Sequence, residues 1–275
     1  MNGLKKLSGI LLFVLLTITG SAKADVLLLV HGYQGSVFSW EQSGVSGVLQ
    51  QFGWKRAAVL VGAPQGLIPF PLKWKDADNK VINLQLNSEA PLSGQANVFT
   101  TALRWVNDHY PSEKIIIAGH SLGGVVARLS MVRSGAPNVK ALITIASPHL
   151  GTVLAHRALD EIDDPFPINK IKEFFAGNDY DMLLRSRGLL NDIVPAVPGK
   201  LLHWLNTRQH PPIKYFSVVR SSVNGVLGDP IVPGFSQDMA NVPAIGTNST
   251  RLIQGFTHNL SVLDGYALVN ILEQL

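Results

Sequence analysis

The sequence predicts an α/β fold, with a mainly parallel, doubly wound sheet of about six strands and a cap or lid insertion. Short apolar runs recur along the chain and are typical of strands buried on both faces of a parallel sheet. Segments with helical apolar spacing alternate with them, and this alternation implies right-handed crossovers between parallel strands. The third observation is a strand, tight turn and helix pattern around residues 119–124, G-H-S-L-G-G.

The individual strands and helices follow from these patterns. The first strand is a continuous apolar run that ends at a turn containing glycine, and the last strand has the weakest pattern. The predicted strands are residues 26–30, 57–61, 115–118, 141–145, 215–219 and 251–253. The predicted helices are residues 38–52, 95–109, 125–133 and 262–275.

One segment departs from the alternation of strands and helices. Residues 72–75 and 81–84 flank the polar stretch D-A-D-N at 76–79. This pattern is typical of a β-hairpin with a polar turn. We interpret it as an addition at the edge of the sheet, because surface connections commonly vary without a functional role.

A long segment between two strands, residues 152–212, is the second departure. It contains six prolines and short amphipathic pieces at residues 168–175 and 201–205. Insertions of this length are usually functional or flexible. Because it would lie over the carboxyl edge of the sheet, where the sites of α/β proteins are found, we interpret it as a cap or lid.

The N-terminus has the pattern of a secretory signal peptide, residues 1–24. Lys5 and Lys6 precede the apolar residues 7–18, and A-K-A follows at residues 22–24. The apolar run is shorter than the roughly 20 residues of a membrane-spanning helix, although an uncleaved anchor is the alternative. We therefore expect an exported protein, periplasmic or secreted, whose mature part, residues 25–275, is one α/β domain.

Charge and cysteine content exclude several classes of protein. The formal net charge of +4 includes three lysines of the signal peptide, which holds no acidic residue, so the mature part carries +1. No run of Lys and Arg remains, which argues against a nucleic-acid partner. The chain has no cysteine, which excludes disulfides, a thiol nucleophile, Cys-ligated zinc and a lipid anchor on cysteine.

Ser121 is the candidate nucleophile, at the centre of the G-x-S-x-G pattern. A serine hydroxyl becomes reactive when it is held clear of the backbone, within reach of a base and beside donors for an oxyanion. A strained turn between strand and helix provides the first condition and part of the last. The alternative is an ordinary glycine-rich turn without chemical function.

His258 is the candidate base. In folds with this turn the chain order is serine, then the acid, then histidine, and His258 lies between the last predicted strand and the final helix. His149 also follows a strand, but it precedes every candidate acid and so breaks the order. His120 lies in the turn that Ser121 already uses.

Asp229, in the loop G-D-P-I-V-P at residues 228–233, is the candidate acid. The loop follows the strand predicted at residues 215–219, as the chain order requires. Asp238 is the second candidate, and an Asx turn is the alternative role for either residue. Asp264 follows His258 closely in the final segment, and we interpret it as a helix N-cap.

Two backbone N–H groups are the candidate donors of an oxyanion hole. One belongs to Leu122, the residue after the candidate nucleophile, and the other to Tyr33, in the loop after the first strand. Gly32 would let the chain turn so that the N–H of Tyr33 faces the site.

The motifs resemble those of the α/β-hydrolase superfamily, in its bacterial lipase-like and esterase-like branch, which includes proteins similar to GPI-inositol deacylases. The resemblance rests on L-L-L-V-H-G at residues 27–32, A-G-H-S-L-G-G at 118–124 and T-I-A-S-P-H-L-G-T at 144–152. Residues 228–233 are similar to the acid loop of such lipases, and His258 to their terminal histidine. The resemblance implies hydrolysis of carboxylic esters without a metal or an organic cofactor.

The resulting hypothesis is an exported serine esterase or lipase that acts through an acyl-enzyme. Its partners would be an ester or lipid substrate and, transiently, a membrane surface. One alternative is a phospholipase or lysophospholipase that acts on envelope lipids. Another is a non-catalytic hydrolase scaffold that binds lipids or acts like a chaperone, since fold alone does not prove function. Acyl chain length, head group and oligomeric state do not follow from the sequence.

Overall fold

The structure is a computed structural model that describes residues 25–163, 180–222 and 224–275. The predicted signal peptide, residues 1–24, and the predicted amphipathic piece at residues 168–175 lie outside these ranges. Within the described ranges, no helix is both long enough and apolar enough to cross a lipid bilayer.

The described residues form one sheet and a set of surrounding helices. The strands are β1 Asp25–Val30, β2 Trp54–Ala63, β3 Gly66–Pro71, β4 Asn79–Gln85, β5 Lys114–His120, β6 Val139–Ile145, β7 Lys214–Val219 and β8 Ser249–Ile253. The helices are α1 Ser39–Gln42, α2 Val45–Gln51, α3 Leu92–His109, α4 Leu122–Ser134, α5 Val153–Asp163, α6 Tyr180–Arg185, α7 Arg187–Asp192, α8 Leu201–Thr207, α9 Gly234–Gln237 and α10 Val262–Leu272.

The eight strands lie in the order β3-β2-β4-β1-β5-β6-β7-β8. All neighbours are parallel except β2 and β3, which form an antiparallel hairpin at one edge. From β1 the chain first builds the sheet towards β3, and it then crosses to β5 and continues to β8. The crevice at the carboxyl ends of β1 and β5 is therefore the topological switch point, where α/β proteins place their sites.

Strand β1 explains how the sheet is covered on both faces. Leu27 and Leu29 pack with Trp40 of α1 and with α2 and α10. Val26 and Leu28 point to the other face and pack with α3 and α4. Burial on both sides accounts for the uninterrupted apolar run that identified this strand in the sequence. The α/β architecture predicted from the sequence is thereby confirmed.

The predicted number of strands and the predicted hairpin are wrong. Residues 81–84 lie in β4, a central parallel strand between β2 and β1, and residues 72–75 lie outside the strands. Strand β4 was misread because it carries polar residues inside the sheet. Lys80 pairs with Glu113 at 2.7 Å, and the amide nitrogen of Asn83 donates to the carbonyl of Val37 at 3.0 Å.

The actual hairpin arm, β3, went unpredicted because it contains Pro69 and Pro71. Proline cannot donate a ladder hydrogen bond, so within a sheet it is confined to edge strands such as this one. The helix predicted at residues 38–52 is two helices, since Gly44 between them has φ of +82°, a left-handed conformation that interrupts α-helical geometry.

The segment predicted as a cap divides into two packing units. Helices α5, α6 and α7 share a small core of their own, whose members are Ala155, Ala158, Leu159, Ile162, Leu183, Leu190 and Val194. Helix α8 instead packs Leu202 and Leu205 onto the main core of the sheet. The part with its own core is therefore the part that stands over the carboxyl edge.

A buried ion pair fixes the end of β7 against the last helix. The guanidinium of Arg220 contacts the carboxylate of Asp264 at 2.5 and 3.1 Å, and the two side chains are 1% and 0% exposed. Asp264 is not the N-cap of α10. Ser261 takes that position, and Asp264 is the third helical residue, whose carboxylate accepts from the backbone N–H of Ser261 in a capping box.

Removal of this carboxylate should destabilise the protein strongly. Asp264→Asn leaves the buried guanidinium of Arg220 without a counter-charge, and we expect the free energy of unfolding to fall by about 3–5 kcal/mol. Urea denaturation followed by circular dichroism measures the difference. The matched control is Asp76→Asn, which removes the exposed pair with Lys75 at 3.6 Å and should change stability by less than about 0.5 kcal/mol. Equal small losses in the two variants would contradict this account of the buried pair.

Candidate active site

Ser121 occupies the tight turn between β5 and α4. Its φ of +49° and ψ of −122° lie in a region that residues other than glycine rarely adopt. Its backbone N–H donates to the carbonyl of Ile145 at the end of the neighbouring strand, at 2.8 Å. A Cβ on Gly119 would lie 2.5 Å from the backbone nitrogen of Gly124, so glycine alone permits this approach of strand and helix. The sequence around Ser121 thus builds a strained turn that projects a hydroxyl.

His258 brings an imidazole to this hydroxyl. It lies in the loop between β8 and α10, and its Nε2 is 2.8 Å from the Oγ of Ser121. Its Nδ1 is 3.0 Å from Oδ2 of Asp229. A carboxylate can only accept, so Nδ1 carries the proton and Nε2 is left to accept from the serine hydroxyl.

Asp229 presents a buried carboxylate that is saturated with donors. Its Oδ1 accepts from the backbone N–H groups of Ile231 and Val232, each at 2.8 Å, and its Oδ2 also accepts from Nε2 of Gln237 at 2.8 Å. Burial acts to raise the pKa of Asp229, but the hydrogen bond and charge of His258 and the two backbone bonds outweigh it, so the pKa is lowered. The carboxylate is therefore ionised at neutral pH although its side chain is fully buried.

The second candidate acid, Asp238, lies elsewhere. Its side chain caps the short 3₁₀ helix Met239–Asn241 by accepting from the N–H of Ala240 at 2.9 Å. It also pairs with Arg251 at 3.3 Å. Asp238 thus takes the structural role of a loop aspartate that the sequence left open.

His149, the competing base, is part of a different buried network. Its Nδ1 accepts from the guanidinium of Arg128 at 2.9 Å, and its Nε2 lies 3.0 Å from the hydroxyl of Thr144. Burial, followed by the charges of Arg128 and His210, lowers the pKa of His149 well below its ordinary value. The ring is neutral and fully enclosed, with no access to an external substrate.

The two candidate oxyanion donors line the same cavity as Ser121. Leu122 is the first residue of α4, and the first N–H groups of a helix have no partner within it and carry the positive end of the helix dipole. The loop that holds Tyr33 approaches from β1, and a Cβ on Gly32 would lie 2.9 Å from the Cβ of Ser121. The assignment of these two N–H groups to an oxyanion stays a prediction.

His120 contributes to the site in a way that sequence reasoning missed. Its Nε2 lies 2.8 Å from the backbone carbonyl of His258, and because a carbonyl only accepts, His120 must donate. Burial, followed by the charge of His258, lowers the pKa of His120 to about 3, so the ring is neutral. The residue before the candidate nucleophile thus holds the backbone of the candidate base. The position of His120 directly before Ser121 in the motif was the sequence signal that could have indicated this role.

Two further residues of the site carried no signal in the sequence. Gln237, at the end of α9, contacts the carboxylate of Asp229. Arg220 follows β7, and its guanidinium donates to the backbone carbonyls of Gln254 and Asn259, which flank His258, at 2.9 and 3.2 Å. Both depend on contacts between segments far apart in the chain, which no local pattern reveals.

A cavity of about 550 Å³ opens above Ser121. Apolar side chains of α5 and α7 form one wall, and Ile231 and Val232 of the acid loop form another. Polar groups converge on its floor, where the hydroxyl of Ser121 and the imidazole of His258 meet. An apolar pocket with a few convergent polar groups is typical of a small-molecule site.

Helices α6 and α7, with the residue between them, contact the loops beside the cavity. The hydroxyl of Tyr33 lies 2.8 Å from the Oγ of Ser186, between α6 and α7. Arg185 forms an ion pair with Glu89 at 2.7 Å, and Asp192 accepts from the first N–H of α3 at 2.8 Å. These contacts hold α6 and α7 in place beside the switch point.

The described residues hold no group of three or more His, Asp or Glu side chains that could bind a metal ion. The groups that meet at the floor of the cavity are the hydroxyl of Ser121 and the imidazole of His258, with the carboxylate of Asp229 behind the imidazole. Such a set can perform nucleophilic acyl transfer.

Structural matches support the assignment of the fold. The lipase BlEst2 of Bacillus licheniformis, in its mature form, is 15% identical, covers 92% of both chains and superposes with a TM-score of 0.59. A protein from Listeria innocua is 16% identical over 86% of this chain and 87% of its own, also with a TM-score of 0.59. Phospholipase PlaB of Legionella pneumophila is 16% identical, covers 79% of this chain and 46% of its own, and has a TM-score of 0.50.

Sequence matches identify the family. The model of the PGAP1-like alpha/beta domain matches residues 22–162, slightly more than half of the chain. A GPI inositol-deacylase from Candida albicans is 34% identical over 89 residues, which are 31% of this chain and 20% of that protein. The resemblance found in the motifs is thus confirmed. The chain belongs to the PGAP1-like α/β-domain family, and its fold is that of the lipase-type and esterase-type α/β-hydrolases.

Proposed function

We propose that the protein is a serine carboxylic-ester hydrolase, an esterase or lipase. The observation that carries the proposal is the chain of hydrogen bonds from Ser121 Oγ to His258 Nε2 at 2.8 Å and from His258 Nδ1 to Asp229 Oδ2 at 3.0 Å. This chain lies at the floor of an apolar cavity, where an acyl group can be enclosed. The three residues follow the order serine, acid and histidine that is characteristic of α/β-hydrolases.

The reaction begins with attack of the Ser121 oxygen on the ester carbonyl carbon. His258 takes the hydroxyl proton at Nε2, and the carbonyl oxygen becomes an oxyanion held by the N–H groups of Leu122 and Tyr33. Asp229 stays ionised and stabilises the imidazolium through Nδ1. The C–O bond of the ester then breaks, and His258 returns the proton to the departing alkoxide, which leaves as an alcohol.

Deacylation repeats these steps with water. His258 removes a proton from a water molecule, the hydroxide attacks the acyl-serine carbonyl, and the proton returns to Ser121 as the carboxylic acid leaves. An oxyanion donor is typically worth about 3 kcal/mol of the barrier, so the strained turn and the loop of Gly32 serve the reaction directly.

The cavity favours substrates with an apolar acyl group. Its walls from the cap and the acid loop carry aliphatic side chains, and no Asp, Glu, Lys or Arg side chain of the described residues lines it. Apolar surface removed from water contributes about 25 cal/mol per Å², so longer acyl chains should bind more tightly until the cavity is filled.

A phospholipase or lysophospholipase is the second candidate function. The specific observation that favours it is Phe256, which lines the cavity yet is 60% exposed. An apolar side chain at the mouth can contact a lipid aggregate that presents the substrate. Export through the signal peptide at residues 1–24, and a cap formed by residues 152–212, belong to this proposal as well.

A non-catalytic scaffold is the weaker alternative. A binding protein has no need of a strained φ of +49° at Ser121, which stores energy without contributing to affinity. It also has no need of a buried carboxylate with four donors behind an imidazole. These features are typical of a preorganised catalytic site.

Substitution of the nucleophile tests the proposal directly. Ser121→Ala should lower kcat by about 10⁶-fold, as removal of a triad serine does elsewhere, and should leave the fold intact. Hydrolysis of p-nitrophenyl esters from acetate to palmitate measures the effect and the preferred chain length. Ser130→Ala, which removes another buried hydroxyl of α4, is the control and should retain activity. Retained activity in Ser121→Ala would overturn the proposed function.

Substitution of the two candidate acids tests the role of Asp229. Asp229→Asn keeps the shape of the side chain but removes its charge and should lower kcat by about 10⁴-fold, because the imidazolium loses its partner. Asp238→Asn weakens only a cap and a half-exposed ion pair, so kcat should stay within about twofold. The opposite ranking of the two variants in the same ester assay would show that the acid is misassigned.

A further inference from the structure

We infer that Gln237 is a positioning residue that fixes the orientation of the Asp229 carboxylate, and so that of His258. This inference rests on the proposed function. Gln237 is the last residue of the short helix α9, and its side chain is fully buried. It does not touch Ser121 or the cavity, so it would act through Asp229 alone.

The amide of Gln237 uses both of its donor hydrogens and its oxygen in hydrogen bonds to the protein. Its Nε2 donates to Oδ2 of Asp229 and to the carbonyl of Val232, each at 2.8 Å. Its Oε1 accepts from the backbone N–H of Arg220, also at 2.8 Å. Two of these partners can only accept and the third can only donate, so the orientation of the amide is fixed by its partners.

The carboxylate of Asp229 is in turn complete only with Gln237 present. Oδ1 takes the backbone N–H groups of Ile231 and Val232, and Oδ2 takes His258 and Gln237. The four donors match the four acceptor positions of a carboxylate. Without the amide, Oδ2 would be held by His258 alone, and the carboxylate could rotate with the ring that it should orient.

Arg220 connects this arrangement to the loop of the base. Its backbone N–H anchors Gln237, and its backbone carbonyl accepts from Gly228 at 2.7 Å, at the start of the acid loop. Its guanidinium holds the carbonyls of Gln254 and Asn259 on either side of His258. Arg220 thus contacts both the acid loop and the loop that holds His258. The side chain of Gln237 links Arg220 to the carboxylate of Asp229.

Asp229 is the titratable group that contacts the side chain of Gln237 directly. His258 contacts Asp229 in turn from the loop before α10, and His120 contacts the backbone of His258 from β5. The guanidinium of Arg220 points away, towards Asp264. A charge introduced at position 237 would therefore act mainly on the pair of Asp229 and His258.

Gln95 provides a matched control within the same chain. It is also a buried glutamine, but its Nε2 donates only to backbone carbonyls, at 2.7 Å to Ala90 and 3.4 Å to Ser88. Its substitution removes buried hydrogen bonds of a similar kind without touching the proposed triad. Differences between equivalent variants at positions 237 and 95 then report on positioning rather than on general stability.

The first test replaces each glutamine with leucine and measures kcat and KM on a p-nitrophenyl ester. A hydrogen bond to a charged group is lost in Gln237→Leu, and we expect kcat to fall by about 10-fold to 100-fold with KM within twofold. Gln95→Leu should leave kcat within about twofold, although it lowers stability. Equal kcat values in the two leucine variants would overturn the inference.

The second test uses Gln237→Glu, which keeps the shape of the side chain and guards against failure of the leucine variant to fold. The new carboxyl is buried beside the ionised Asp229, which favours its protonated form, and as such it can donate to Oδ2 as the amide does. Gln237→Glu should therefore keep kcat within about threefold of the unsubstituted protein and recover most of what Gln237→Leu loses. Gln95→Glu should gain nothing over Gln95→Leu. A folded Gln237→Glu with a kcat as low as that expected of Gln237→Leu would also overturn the inference.

These outcomes are separable from failure of the proposed function. If Ser121→Ala and Asp229→Asn retain activity, the function itself is wrong. If both lose activity while the variants of Gln237 behave as those of Gln95 do, the function stands and the positioning role alone is refuted.

Discussion

The turn at Ser121 is the constraint on which the rest of the site depends. A serine at φ +49° is costly, by roughly 1–3 kcal/mol, and such a conformation persists only where surrounding structure enforces it. Here the enforcement comes from a central strand. Strand β5 lies between β1 and β6, and the N–H of Ser121 is bonded to the end of β6. The sheet thus holds the hydroxyl in place before any substrate contributes binding energy.

The same arrangement explains why the loops that complete the site come from distant parts of the chain. Parallel strands end at one edge, so the connections after β1, β5, β7 and β8 all emerge there. Their position at one edge does not by itself bring the side chains of these loops within hydrogen-bonding distance of one another. The buried pair of Arg220 and Asp264 provides that alignment, because the guanidinium also holds the backbone on both sides of His258. A buried ion pair adds little net stability compared with apolar residues in its place, but breaking it is costly. The pair therefore holds the segments that it joins in one arrangement.

Local pattern was enough to select the three candidate residues on which the proposed chemistry depends. Ser121 stands in a turn that glycines mark, and His258 and Asp229 follow from chain order and from their place after strands. The structure brings these three side chains together. The sequence favoured Asp229 over Asp238 without excluding Asp238, because both lie in loops after the same strand. Only their partners in space, an imidazole for one and a helix terminus for the other, distinguish them.

The residues that prediction missed share one property, which is that their role lies in contacts across the sheet. Gln237 and Arg220 carry no motif, and His120 was passed over because the neighbouring serine already accounted for its turn. The errors in the sheet have a similar cause. Strand β4 does not read as a central strand because it contains Lys80 and Asn83, which pair with Glu113 and donate to the backbone of Val37, respectively. The placement of such a strand depends on contacts with distant parts of the chain, and the periodicity of its own sequence does not encode these contacts.

The state of Asp229 links the architecture to the proposed chemistry. A carboxylate removed from water tends to take up a proton, and a neutral acid could not stabilise an imidazolium. The hydrogen bond and charge of His258 and the backbone N–H groups of Val232 and Ile231 reverse that tendency and lower the pKa of Asp229, so the group stays charged where no solvent reaches it. Because the donors are fixed before reaction, little reorganisation accompanies the transfer of the serine proton to His258. The contacts that offset the burial of Asp229 are thus the same contacts that would allow it to stabilise an imidazolium. This accounts for the number of donors that the surrounding segments supply to its carboxylate.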